Sequence, residues 1–132
     1  MISALTGYNW QVGQTIELTE TVGRLKINLL AQQVGLDWNI AIFGGDRPHI
    51  GAVALIGPGS PCSLLCMPKH REGGIAKDFA SAVSNHVGST VCATCGIHLD
   101  NITQDEIRSA EAIVKNLASE LISRIQAGNA RA

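Results

Sequence analysis

The sequence has no basic run and almost no charge imbalance: Lys and Arg number 10 against 11 Asp and Glu, a formal net charge of -1. The electrostatic footprint of a nucleic-acid binder is therefore missing, which sets DNA and RNA aside. Nor is there an apolar stretch near the roughly 20 residues of a membrane span. The opening MISALTGYNW has no positive n-region and no apolar run suited to a signal peptide, so no membrane partner and a cytoplasmic location are expected. No internal repeat or low-complexity linker interrupts the 132 residues, which suit a single domain spanning 1–132. There is no Walker A or G-x-G-x-x-G phosphate fingerprint. No Ser or Cys stands at recognisable spacing from a histidine and an acid, so no catalytic nucleophile can be named.

What the sequence does have is periodicity, and 45% hydrophobic residues to build a core. Residues 15–22 (TIELTETV) place Ile16, Leu18 and Val22 in step with period two. Residues 24–31 (RLKINLLA) set Leu25, Ile27, Leu29 and Ala31 against Arg24, Lys26 and Asn28, the pattern of a strand with one wet face. Residues 38–43 (WNIAIF) make a third strand, and connections this short permit only an antiparallel meander. Further strands are expected at 52–56 (AVALI), 62–67 (CSLLCM) and 90–97 (TVCATCGI). A helical stripe of Ala76, Phe79, Ala80, Val83 and Val87 predicts a helix over 75–87 stopped by Gly88. Thr103 and Glu106 match a capping box, and Ile107, Ala110, Val114, Leu117, Leu121 and Ile125 stripe a last helix ended by Gly128. The order βββββαβα defines an α+β fold, a mostly antiparallel sheet of about six strands with two helices packed on it.

Two strand-end segments are richer in polar groups and glycine than a connection needs. In the first, residues 44–51 (GGDRPHIG), Gly44 and Gly45 let backbone N–H groups approach an anion or a flat ring, while Asp46, Arg47 and His49 offer charge. The alternative is a long hairpin with glycines at positive φ and an Asx turn at Asp46. In the second, residues 96–103 (GIHLDNIT), Asp100 and Asn101 precede a helix N-terminus, which favours phosphate or carboxylate, or is simply a well-capped helix start. His49 and His98 each lie in one of these loops with a carboxylate close by in sequence, Asp46 and Asp100. They suit cofactor binding, proton transfer or a shared metal, against the alternative of plain solvated histidines. His70 and His86 read as surface or helix-end residues with no role.

The four cysteines, Cys62, Cys66, Cys92 and Cys95, are expected as thiols. A zinc site from them fails on geometry. On a strand, Cys92 and Cys95 point to opposite faces, and Cys62 and Cys66 stand about 13 Å apart along extended chain. Small buried hydrophobes is the better account.

The run G-G-D-x-P-H-I-G-A-V-A-L (residues 44–55), a strand followed by P-K-H, a helix, and G-I-H-L-D-N-I-T (residues 96–103) together resemble the prenylated-flavin chaperone family, the LpdD-like proteins associated with gallate decarboxylase. The resemblance covers roughly residues 15–125. It implies a fold related to small proteasome-assembly chaperones, and a non-catalytic, homodimeric carrier of FMN or prenylated FMN that serves a UbiD-type decarboxylase. It further implies that Gly44, Gly45, Asp46, Pro48 and His49 on one side and His98, Asp100 and Asn101 on the other line a flavin or dimer-related site. Two alternatives stay open: an assembly chaperone that binds a partner protein without flavin, and a small enzyme using His49 and His98 around a metal.

Overall fold

The computed structural model describes residues 13–131. β1 (Thr15–Val22), β2 (Leu25–Val34) and β3 (Asp37–Gly45) form the expected meander, with register pairs such as Leu18 to Leu29 and Leu29 to Ile42. Its turns are two residues long and begin with Gly23 (φ 60°) and Gly35 (φ 62°), a conformation glycine reaches without steric cost. β4 (Ala52–Ile56), β5 (Ser63–Cys66), α1 (Gly73–Val87), β6 (Val91–His98) and α2 (Gln104–Arg131) follow. The strands lie in the order β1-β2-β3-β6-β4-β5. The fold is thus α+β, with six strands in a mostly antiparallel sheet and two helices.

One junction departs from the simplest reading. β3 and β4 form no hairpin, because β6 lies between them, parallel to β3 and antiparallel to β4. A parallel neighbour needs a long crossover. Here β4, β5 and α1 supply it, and the loop after β3 steps over the end of β6.

Both helices pack on one face. That face carries Ile16, Leu18, Leu25, Ile27, Leu29, Ile40, Ile42, Ala54, Val91, Ala93 and Cys95, which are buried beneath Phe79 and Val83 of α1 and Ile113, Leu117, Leu121 and Ile125 of α2. Each such Leu or Ile contributes roughly 1.5–3 kcal/mol by leaving water. On the opposite face the register aligns Leu30, Ala41, Thr94, Val53 and Leu65 in one row across five strands. Among the described residues no helix covers that row, and Leu30 and Leu65 are exposed.

Three local expectations change. Val22 is exposed because β1 runs into its turn there. β5 is a short edge strand whose residues are all exposed, so Cys66 is no buried hydrophobe, whereas Cys95 is, and Cys62 and Cys92 are half-buried. Gly128 does not end α2, which continues to Arg131; a Cβ at Gly128 would stand 3.2 Å from Oε1 of Gln14, so this glycine serves a close approach and not a stop. Gly88 does stop α1, with φ 76° and its N–H donated to the Ser84 carbonyl. Among the described residues no helix is long and apolar enough to cross a membrane.

Candidate functional site

The two polar loops meet at the carboxyl end of the β3–β6 pair, where Gly45 stands opposite His98 in the parallel register. The chain closes on itself here with very little space. A Cβ on Gly44 would fall 2.2 Å from the Lys26 carbonyl oxygen, one on Gly45 (φ 78°) 2.0 Å from that of His98, and one on Gly96 1.6 Å from that of His49. The room these glycines make is taken by the chain's own backbone.

The polar side chains of this end are spent largely on one another. Asp46 accepts the Asp100 backbone N–H at 3.0 Å, and the Asp46 N–H donates to the His98 carbonyl at 2.6 Å. Arg47 Nη2 donates to Asp100 Oδ1 at 2.6 Å, and His98 Nε2 lies 3.0 Å from the same oxygen. The Arg47 hydrogen bond first, and His98 second, hold the Asp100 carboxyl below its ordinary range. Asn101 adopts the left-handed conformation (φ 54°), and its carbonyl and that of Asp100 face Arg24. Arg24 also grips Glu106 with two nitrogens, at 2.7 and 3.0 Å. The capping box forms as its sequence requires: the Thr103 N–H donates to Glu106 Oε1 and the Glu106 N–H to Thr103 Oγ1. Arg24, and then the Thr103 amide, depress the Glu106 carboxyl to about 2. The well-capped helix start is therefore realised.

A second cluster lies on the other side of His49. The chain between β5 and α1 turns sharply at Lys69, in the left-handed region at φ 64°, and brings His70 and Glu72 against the loop after β3. His49 Nε2 stands 3.1 Å from His70 Nδ1 and 2.9 Å from Glu72 Oε1, while His70 Nδ1 is 3.6 Å from Glu72 Oε2. His49 Nδ1 is 3.0 Å from the Arg47 carbonyl. Glu72 occupies the N-cap position of α1 but does not cap it with its side chain, which is turned to the histidines. The residue is 8% exposed, and among the described residues its Oε2 is the one buried side-chain oxygen or nitrogen without a hydrogen-bond partner. Below it, burial first and the Glu72 charge second push the Cys95 thiol up to about 12, which keeps it protonated at neutral pH.

The structure therefore separates two histidines that the sequence grouped. His98 keeps company with Asp100, as their spacing suggested, but the carboxylate beside His49 is Glu72 and not Asp46. His70, read as having no role, joins His49; the available signal was His70-x-Glu72, two donors two residues apart just before the α1 stripe. Among the described residues the group of donors close enough to share a metal is His49, His70 and Glu72, without His98 or any cysteine. His86 lies 2.7 Å from the Ala82 carbonyl within α1, beside a groove of about 860 Å³ between the helices, floored by Phe79, Val114, Ala118 and Ile122. No motif or spacing in the sequence marks that groove.

A mixed six-stranded sheet backed by two helices, with polar loops gathered at one end, defines a small α+β domain, and its fold matches a chain in a crystal structure of a novel chaperone complex for yeast 20S proteasome assembly (TM-score 0.57, 10% identity, covering 85% of this chain and 96% of that one). At that identity the likeness concerns fold alone. The family model described as the prenylated flavin chaperone LpdD-like domain matches residues 21–126, and the chain belongs to that family. It is similar to protein LpdD of Lactiplantibacillus plantarum (strain ATCC BAA-793 / NCIMB 8826 / WCFS1), 27% identical over 114 residues and covering 83% of each chain. The family is one of chaperones, so the protein is a chaperone and not an enzyme.

Proposed function

We propose that this chaperone carries FMN or prenylated FMN and delivers it to a UbiD-type decarboxylase, acting as a homodimer in the cytoplasm and as one domain over residues 1–132. The observation that carries the reading is the family match across residues 21–126, which includes both polar loops. Gly44, Gly45, Asp46, Pro48 and His49 form one wall of the flavin site, and His98, Asp100 and Asn101 the other. Exposed Arg47 stands between them and supplies a cation for the phosphate. A carrier needs no nucleophile, and it must release what it holds. Loops with solvent-exposed ion pairs suit that exchange better than a closed cavity does.

The test is retention of FMN and prenylated FMN through gel filtration, with fluorescence quenching for affinity. Binding tighter than about 1 mM, or roughly 4 kcal/mol, is expected in at least one oxidation state. No binding of either flavin in either state rejects the carrier reading. The exposed Leu30 and Leu65, in register with half-buried Val53, favour a second reading, a chaperone that holds its decarboxylase partner without flavin. That reading requires a stable complex with the decarboxylase subunit when flavin is absent. Light scattering at micromolar concentration reads the homodimer directly.

A further inference from the structure

We propose that His49, His70 and Glu72 form a binding site for a divalent transition-metal ion of the zinc type, with a coordination position left open to water or to an exogenous oxygen ligand. The proposal shares His49 with the flavin reading and otherwise needs no part of it.

Three features carry it. The first is the donor set: two imidazoles and one carboxylate are ligands suited to zinc and its neighbours, and a set of three leaves a fourth tetrahedral position vacant. The second is geometry. Ligand atoms about 2.0–2.1 Å from a tetrahedral ion stand about 3.4 Å from one another. Here His49 Nε2 stands 3.1 Å from His70 Nδ1, the Glu72 carboxylate reaches them through separate oxygens at 2.9 Å (His49 Nε2 to Oε1) and 3.6 Å (His70 Nδ1 to Oε2), and one donor atom from each residue lies within 4.8 Å of the others, a spread that a small side-chain rotation would draw in around an ion.

The third feature is the surplus of lone pairs. When the Nδ1–H of His49 donates to the Arg47 carbonyl and His70 carries its proton on Nε2, the His49 Nε2 lone pair faces two further acceptors, His70 Nδ1 and Glu72 Oε1. A proton on Nε2 satisfies one of them and leaves the buried Oε2 of Glu72 without a partner. A divalent cation satisfies all three residues at once. The hydrogen bond from the far ring nitrogen to a backbone carbonyl is also how metal-binding histidines are held in orientation.

Gly51 completes the site. A Cβ there would stand 2.7 Å from Glu72 Oε2 and 2.9 Å from His70 Nδ1, so the donors occupy the space that a side chain would fill. The site is within reach of solvent, since the His49 and His70 side chains are 25% and 36% exposed. A bound ion would join the loop after β3 to the start of α1.

The experiment uses the full chain stripped with a chelator. Zn²⁺ affinity is measured by competition with a chromophoric chelator, and Co²⁺ serves as the visible-absorption probe. One ion per chain at sub-micromolar affinity is expected. His49→Ala, His70→Ala and Glu72→Gln should each weaken binding at least about tenfold and abolish the Co²⁺ band. Cys66→Ser should leave both unchanged. Zinc should raise the melting temperature of the parent chain and not that of His70→Ala, whose partly exposed position spares the fold if Glu72→Gln fails to accumulate. Millimolar or sub-stoichiometric binding, or binding that survives the histidine replacements and disappears in Cys66→Ser, overturns the proposal and leaves a plain hydrogen-bonded His–Glu pair.

Discussion

Two charged clusters share the loop after β3, and they differ in what water does for them. The Arg47–His98–Asp100 group is exposed and internally matched: every charge has a partner of opposite sign or a donor, and solvent screens the remainder. The His49–His70–Glu72 group is sheltered and mismatched, with a buried carboxylate oxygen that no neighbour satisfies. An exposed ion pair adds little to stability because water competes for both partners. A buried carboxylate oxygen without a partner is costly, and a chain that retains one gains from a ligand that relieves it. The exposed cluster orders the loop and offers a cation to an anionic ligand, and the sheltered one offers an unsatisfied oxygen to a metal ion.

The strongest way to break this comparison is to remove the feature both clusters depend on. Gly96 of β6 faces the His49 backbone so closely that a Cβ would lie 1.6 Å from its carbonyl oxygen. Gly96→Ala should displace the loop after β3 and disturb both groups together. Overpacking of this kind typically costs about 1–3 kcal/mol, and contact with backbone places the expected loss at the upper end. In a chain this size that lowers the melting temperature by about 10 °C. A calorimetric scan showing a shift of less than about 3 °C would mean that the loop yields freely and that Gly96 does not anchor it.

The extent to which all this was legible in the sequence follows the same division. Alternation in β2 and β3, the α1 stripe and the Thr103–Glu106 box are local signals, set by residues two to four apart, and each formed where the sequence places it. The insertion of β6 between β3 and β4 was hidden, because strand neighbours are chosen by packing across the sheet and leave no mark in the period of either strand. That single event decided the site. It replaced a hairpin by a crossover, placed His98 opposite Gly45, and let the segment before α1 deliver His70 and Glu72 to His49. Asp100 sits two residues from His98 and was found by spacing; Glu72 lies 23 residues from His49 and was not.

The middle effect tests the exposed side through pH. Arg24 and the Thr103 amide hold the folded Glu106 carboxyl at about 2, against an ordinary value of 4.5. A depressed folded value means that the stabilisation is fully present above the unfolded value and is lost as pH falls toward the folded one. Stability should therefore decline between about pH 4.5 and 2 in the parent chain. In Glu106→Gln the same window should flatten, since no proton is taken up at this position. Urea midpoints collected across the window measure the difference. Parallel profiles for the two chains would show that the Arg24 contact is too mobile to hold the carboxylate.

The smallest expected effect on stability belongs to Arg47→Ala, and its smallness is what makes it informative. Arg47 and Asp100 have side chains 70% and 53% exposed, so removing the arginine should leave the melting temperature unchanged within error. The loss is visible elsewhere. Arg47 is the first cause of the depressed Asp100 carboxyl, so Asp100 should titrate at higher pH in the variant, readable by NMR of its side chain. If the exposed loops bind flavin phosphate as proposed, FMN retention should fall in the same variant while zinc affinity stays at the parent level, because no metal donor has been touched. Reduced zinc affinity with FMN retention intact would reverse the assignment: Arg47 would then act through its carbonyl's hold on His49, and the two clusters would be one site.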